Sequence, residues 1–225
     1  MKQNHRNSDL RLTAMLIVAL FVAGPTHSVR AQSFEGVVEF SITTERGTMP
    51  MSYMVKGDNV RIEMEGRPGM KAAVLIDAKE GKSIMLMDQM KMYMDVPKPP
   101  AGDSSQAKPE ISKTGKTQKI LDYTCEQYLI KDGEMQSEVW ITKELGAFQM
   151  FHMASRDRNA KAEAWQKIIG SEGGFPLSAT TKNGDEQISK MVATKVEKKS
   201  LDEALFKIPE GYKQFDPSMM GRPRQ

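Results

Sequence analysis

Apolar and polar residues alternate along most of the chain that follows residue 33. In Val60–Glu65, apolar residues occupy every second position and charged residues fill the positions between them. In Phe34–Thr44, the apolar residues Val38, Phe40 and Ile42 share one side. Successive side chains of a strand point to opposite faces, so this pattern predicts strands with one buried face and one face in water.

The pattern predicts about ten strands, most of them joined as hairpins. The segments are Phe34–Thr44, Ser52–Lys56, Val60–Glu65, Ala72–Asp77, Ser83–Met87, Met90–Val96, Lys113–Lys119, Tyr123–Lys131, Glu134–Ile141, Pro176–Lys182 and Ile188–Glu197. Three connections carry residues favoured in tight turns, namely Gly57-Asp58, Asp132-Gly133 and Asn183-Gly184.

Helical spacing replaces the alternation once, in Arg156–Ile169. Ala160, Ala164 and Ile168 fall on one face, and Trp165 and Ile169 lie beside them. We also expect a long Pro-rich loop over 97–109, a capping box in Ser200-Leu-Asp-Glu203, an edge segment within 205–215 and a frayed tail over 216–225.

One amphipathic helix is too small to cover a flat sheet of about ten one-sided strands. A sheet that curls strongly can enclose its own apolar face. We therefore predict a mainly β (α+β) fold: a strongly curved antiparallel sheet, or half-open β-barrel, with the one main helix on its concave face. A single domain is expected over 32–215.

The first 31 residues have the layout of a secretory signal peptide. A basic start is followed by the apolar run Leu12–Ala23, and Val29 and Ala31 fit a cleavage site after Ala31. The interpretation is a Sec-type signal, and the expected location is periplasmic or extracellular.

Charge and composition exclude several classes of function. The chain has 32 basic and 29 acidic residues, and the leader holds four and one of these, so 28 of each are left. Without a basic surplus, nucleic-acid binding is not expected. Cys125 and His152 are the one Cys and the one His after the leader, too few for a zinc site. We predict no enzyme, no catalytic residue, no metal and no cofactor.

Cys125 and His152 can each be interpreted as a structural side chain or as a reactive one. The neighbours of Cys125 are acidic or neutral and its segment reads as a strand, so a buried thiol is favoured over a reactive one. His152 lies in the apolar stretch 148–153, which favours a packed imidazole over a catalytic one.

Several segments, in their order along the chain, resemble a known family. They are Phe34–Glu39, Tyr53–Glu63, Met90–Met94, Lys116–Glu126, Glu138–Thr142, Ser200–Pro209 and Gly211-Tyr212. The chain is identified as a member of an exported bacterial domain-of-unknown-function family (number 4412), similar in fold to periplasmic lipoprotein carriers of the LolA and LolB type. The resemblance implies a half-open barrel whose concavity binds acyl chains, and it implies no catalytic residues.

Methionine is unusually frequent, with 18 residues in the chain. Two clusters stand out: Met49, Met51 and Met54, and Met85, Met87, Met90, Met92 and Met94. Three interpretations are open: core packing, a deformable apolar cavity, or a copper site, because thioether sulfur suits Cu(I). Residues two apart on a strand lie about 6–7 Å from each other, which is wide for a shared ion.

We therefore expect a non-enzymatic exported protein that holds a hydrophobic small molecule, a lipid or a lipoprotein segment in a curved-sheet groove. Transient contact with the membrane or envelope proteins is also expected. The predicted lining is Val38, Phe40, Ile62, Met64, Met92, Met94, Val139, Trp165 and Ile169. The alternatives are an envelope interaction module with a filled core and a methionine-rich copper-binding protein.

Overall fold

Extended strands dominate the fold of this chain. The fold is seen in a computed structural model that describes residues 34–65, 71–97, 109–149 and 173–215. Several expectations lie outside these residues: the signal peptide, most of the Pro-rich loop, the helix Arg156–Ile169, His152 and the tail over 216–225.

Twelve strands lie in the described residues. They are β1 (Gly36–Thr44), β2 (Gly47–Lys56), β3 (Asn59–Glu65), β4 (Lys71–Asp77), β5 (Lys82–Met87), β6 (Met92–Asp95), β7 (Glu110–Ile120), β8 (Tyr123–Asp132), β9 (Met135–Thr142), β10 (Phe175–Asn183), β11 (Glu186–Lys198) and β12 (Lys213–Gln214). Two 3-10 helices, Asp88–Met90 and Glu203–Phe206, complete the regular elements of this part of the chain.

All twelve strands belong to one open sheet, in the order β12-β6-β5-β4-β3-β2-β1-β11-β10-β9-β8-β7. The prediction of a mainly β fold is confirmed. The sheet is mixed rather than wholly antiparallel, because β12 pairs with β6 in parallel. A tail segment that crosses the sheet from β1 to β6 arrives at that edge in the same direction as β6, and the alternation pattern carries no signal for this.

Aromatic side chains show how strongly the sheet bends. Strands β2 and β10 are separated by β1 and β11, a spacing of about 14 Å in a flat sheet. The ring centroids of Tyr53 on β2 and Phe175 on β10 nevertheless lie 5.3 Å apart. Side chains on this face converge, so it is the concave one, and we call it the inner face.

The main core lies on the inner face. It includes Val38, Phe40, Tyr53, Val139 and other side chains from both halves of the sheet. Phe148, in the segment after β9, stacks on Tyr53 at 4.8 Å and meets Phe175 edge-on at 5.0 Å. The centre of the inner face is therefore closed by packed rings.

The C-terminal residues 200–215, which we call the C-terminal strap, lie on the opposite, outer face. Ile208 and Tyr212 of the strap pack against a small cluster formed by Ala73, Leu75 and Leu86. The expected edge segment within the tail is confirmed as β12.

Hydrogen bonds hold the C-terminal strap along its length. The Leu201 amide donates to Glu35 Oε1 at 2.8 Å, and Lys56 Nζ donates to the Leu201 carbonyl at 2.6 Å. Further along, the Tyr212 hydroxyl donates to Asp88 Oδ1 at 2.7 Å. The strap therefore covers apolar side chains that would otherwise face water.

Two local predictions were wrong. The predicted strand Met90–Val96 begins only at Met92, because Lys91 has a φ of 49°, which breaks an extended run. The predicted cap Ser200 does not start a helix. Asp202 caps the 3-10 helix by accepting from the Ala204 amide at 2.9 Å.

Candidate functional site

The described members of the predicted lining all point to the inner face, but they differ in exposure. Val38, Phe40, Ile62 and Val139 are buried in the main core, at 0–2 % exposure. Met64, Met92 and Met94 are half-buried. Trp165 and Ile169 lie outside the described residues.

The register of β2 to β6 arranges the inner face in cross-strand rows. One row runs Met51, Met64, Ala72, Met87 and Met92. The next row runs Tyr53, Ile62, Val74, Met85 and Met94. Because directly opposite residues share a face, four methionines of the second cluster, all but Met90, lie on the same face as Met51 and Met64.

Exposure rises along these rows toward the β6 edge. Tyr53, Ile62 and Val74 are at most 2 % exposed, whereas Met85 and Met94, farther along the same row, are half-buried. We call Met64, Met85, Met87, Met92 and Met94 the methionine patch. The patch is therefore a group of five neighbouring methionines on this face whose side chains are still partly open to solvent.

The hairpin that carries most of the methionine patch places almost no polar side chains on the inner face. The inner-face positions of β5 and β6 are Ser83, Met85, Met87, Met92 and Met94, and none of these side chains is ionisable. Asp95 pairs with Ile84 and therefore points to the outer face. The patch presents thioethers and methyl groups rather than charge.

Two other methionines of the clusters are placed elsewhere. Met54 is opposite Arg61 and points to the outer face. Met90 is 57 % exposed in the 3-10 turn between β5 and β6. Alternation assigned Met90 to the same side as Met92, but the turn removes it from the strand.

Three grooves open on the described residues, with volumes of about 370–390 Å³. Each is lined mainly by polar or charged side chains, such as Glu63, Lys71 and Asp88 in the first. Among the predicted lining residues, Met64 borders one of these three grooves.

Cys125 is buried, as predicted, and burial raises the pKa of its thiol to about 11. The thiol is therefore protonated at neutral pH, which suits a packed side chain better than a nucleophile.

In the part of the chain that the structure describes, no group of three or more His, Cys, Asp or Glu side chains could hold a metal ion. Among the described residues, no helix has the length and apolarity that crossing a bilayer would require.

The predicted lining left out two kinds of residue. Met85 and Met87 belong to the methionine patch. They pair with Met94 and Met92 across the hairpin and so lie on the same face, which could have identified them. Leu145 and Phe148 close the centre of the inner face, and no pattern marks their segment as a covering one.

Solved structures give a likeness of fold. Two that match are "Structure of PNGF-II in C2 space group" and "Structure of PNGF-II in P21 space group", each 18 % identical. The TM-scores are 0.48 and 0.50, with 83 % and 84 % of this chain covered. The chain spans 32 % of those chains, about a third of their length.

These matches leave the likeness to LolA and LolB carriers as a prediction. No curated protein matches the chain. The family profile described as "Domain of unknown function (DUF4412)" matches residues 34–212, and the chain belongs to that family.

Proposed function

We propose that this protein is a non-enzymatic exported protein that binds an acyl chain, a lipid or an apolar lipoprotein segment on the methionine patch. The observation that carries the proposal is the rise in exposure along the inner-face rows from Tyr53 and Val74 to Met85 and Met94. An apolar surface that its own chain covers only partly gains free energy when an apolar ligand covers it.

The chemistry of the patch favours a varied apolar ligand. Methionine is unbranched and polarisable, so its side chain adapts to partners of different shape. The five members of the patch come from three strands, β3, β5 and β6. Ala72 lies between Met64 and Met87 in that row, and its side chain is shorter than those of its two neighbours.

The expected affinity is modest. About ten buried methylene groups gain about 8 kcal/mol, equivalent to a micromolar Kd before the entropic costs of binding. The packed centre of the inner face restricts the ligand to the β3–β6 end, because Val38 and Tyr53 are fully buried. We propose an extended chain lying across the rows rather than an enclosed ligand.

Native mass spectrometry after gentle extraction, together with titration of a fluorescent fatty acid, tests this proposal. We expect co-purified lipid and saturable binding. A Met94→Lys variant should lose at least tenfold in affinity, because its charge lies on the patch. Met90→Lys, in the neighbouring exposed turn, is the matched control and should bind as the wild type does. Lipid-free protein that binds no fatty acid would overturn the proposal.

The filled centre of the inner face favours a second candidate. Phe40, Tyr53, Phe148 and Phe175 pack on one another with ring centroids 4.8–6.3 Å apart. A packed centre of this kind supports an interaction module of the cell envelope. In the same experiment, absence of any lipid from folded protein would support this candidate instead.

A further inference from the structure

The hairpin β5–β6 brings four thioethers into one block. Met85 is directly opposite Met94, and Met87 is directly opposite Met92. All four side chains point to the inner face, and the two pairs are neighbours along the hairpin. This arrangement is independent of any lipid ligand.

Methionines two apart on one strand are widely spaced for a shared ion, but the register of the hairpin brings methionines from two strands closer together. Residues two apart on a strand are separated by about 6–7 Å. Directly opposite residues in an antiparallel pair have Cβ atoms only about 4.5–5.5 Å apart. The Met side chain has three rotatable bonds, so sulfurs from both strands can turn toward a point between them.

The donor set selects the kind of ion. Thioether sulfur is a soft ligand that suits Cu(I), whereas Mg²⁺ and Ca²⁺ prefer oxygen ligands. Ser83 is the one oxygen-bearing side chain at the inner-face positions of β5 and β6. The block therefore offers a site for a soft monovalent ion with no carboxylate or imidazole at the inner-face positions of its own two strands.

The block is both accessible and held in place. All four methionines are half-buried, so each side chain is partly exposed to solvent. The hairpin is fixed on one side by β4 and on the other by β12. The amide of Phe215, the residue after β12, donates to the Tyr93 carbonyl at 2.7 Å. A fixed hairpin presents the sulfurs without a large ordering cost.

We propose that Met85, Met87, Met92 and Met94 form a Cu(I)-binding site on the inner face of the β5–β6 hairpin. The ion is bound through thioether sulfur, and its oxidation state does not change. The proposal does not rest on lipid binding, because it requires sulfur at these positions, whereas the proposed function requires only apolar side chains there.

Titration of the full chain with Cu(I) against a chromogenic Cu(I) chelator tests the site, with Ag(I) as a redox-inert probe. We expect one ion per chain, and at least a tenfold loss of affinity in Met85→Leu/Met94→Leu. The control Met54→Leu/Met90→Leu changes methionines that do not point to the inner face and should bind normally.

Leucine removes the thioether sulfur but keeps an apolar side chain, so the double variant tests the sulfur ligands themselves. The Cu(I) and Ag(I) titrations are carried out without fatty acid, so their outcome does not depend on whether the methionine patch binds lipid. Unchanged Cu(I) affinity in a variant with all four methionines replaced by leucine would overturn the copper site. Failure of the wild type to compete with the chelator would also overturn it.

Discussion

Tyr53 is the buried side chain that ties the segment after β9 to the inner face. Its hydroxyl accepts a hydrogen bond from the Gln149 amide at 2.9 Å, and the residue is 0 % exposed. Its ring stacks on Phe148 of the same segment. One side chain therefore fixes both the polar and the apolar contacts of the covering segment.

A Tyr53→Phe substitution should destabilise the protein by about 1–2 kcal/mol, because the Gln149 amide loses its acceptor in the interior. Urea denaturation followed by circular dichroism measures the change. Tyr53→Phe keeps the stacking of the ring on Phe148, so adding Phe148→Leu to this variant should destabilise the protein further. A Tyr53→Phe variant as stable as the wild type would show that the hydroxyl contributes nothing.

Cys125 predicts a loss of stability at alkaline pH. Burial raises the pKa of its thiol to about 11, and burial also raises the pKa of Tyr53. An unfolded thiol titrates near pH 8.5. Between these values the folded state keeps a proton that the unfolded state has lost, so stability falls as pH rises.

We expect the free energy of unfolding to fall by up to about 2–3 kcal/mol between pH 9 and 11 through Cys125. Urea titrations at a series of pH values measure it. The Cys125→Ala variant should show a shallower fall over the same range. An identical slope in both proteins would contradict the assigned role of the thiol.

At this scale the sequence predicted properties that depend on near neighbours. The burial of Cys125 was predicted from its strand and its uncharged or acidic neighbours, and it is confirmed. The bond between Tyr53 and Gln149 joins residues 96 positions apart, and nothing in either local pattern indicates it.

At the scale of elements, β1 begins at a position that only glycine fits. Gly36 has a φ of 154°, and a Cβ atom there would collide with the Glu197 carbonyl oxygen on β11. The oxygen belongs to the backbone of a paired strand, so it cannot move aside without disturbing the ladder. The close approach of β1 to β11 depends on this residue.

Gly36→Ala should therefore destabilise the protein by several kcal/mol. Gly47→Ala is the matched control, because Gly47 has a φ of 117° with nothing within 4 Å of the added carbon. The control should cost about 1 kcal/mol from backbone strain alone. Thermal unfolding compares them, and equal losses would contradict the predicted collision.

The C-terminal strap is the second element with a testable role. A chain that ends at Lys199 should melt roughly 5–15 °C lower than the full chain, because Leu75 and Leu86 lose their cover. A chain that ends at Phe215 keeps the strap and is the control. The two variants should also differ in binding of a dye that reports exposed apolar surface. Equal melting temperatures would contradict a stabilising role for the strap.

Strand positions were predicted well because alternation is a local signal. β3 and β4 were each predicted to within one residue. The errors occur where a local pattern competes with a distant contact or an unusual dihedral angle. The Ser200 hydroxyl donates to Glu35 Oε1 at 3.3 Å, although Glu35 lies 165 positions earlier in the sequence. Ser200 therefore does not act as a cap.

At the scale of the whole molecule, the order of the strands was beyond sequence reasoning. Gly36 pairs with Lys198, so strands β1 and β11, which are far apart in the sequence, lie side by side at the middle of the sheet. Alternation shows which face a residue occupies but not which strand lies beside it. The curvature was predicted from the need to cover one-sided strands, and the convergence of Tyr53 and Phe175 agrees with it.

The candidate site, too, could be predicted only in part, because the sequence pattern indicates the face of a residue but not what covers that face. Parity alone placed Val38, Phe40 and Met94 on one face, and they do share the inner face. Exposure separates them, because the rings of Phe148 and Phe175 cover the centre and leave the β6 end more open. What covers a face depends on distant segments, so the methionine patch emerges only from the fold.

The most direct test is a fatty-acid titration of protein labelled with ¹³C at its methionine methyl groups. We expect saturable shifts at Met64, Met85, Met87, Met92 and Met94. The buried Met51 and Met191 of the main core should shift little. Shifts confined to Met54 and Met90, or no shifts at fatty-acid concentrations above the micromolar range, would contradict the claim that the methionine patch binds an apolar ligand.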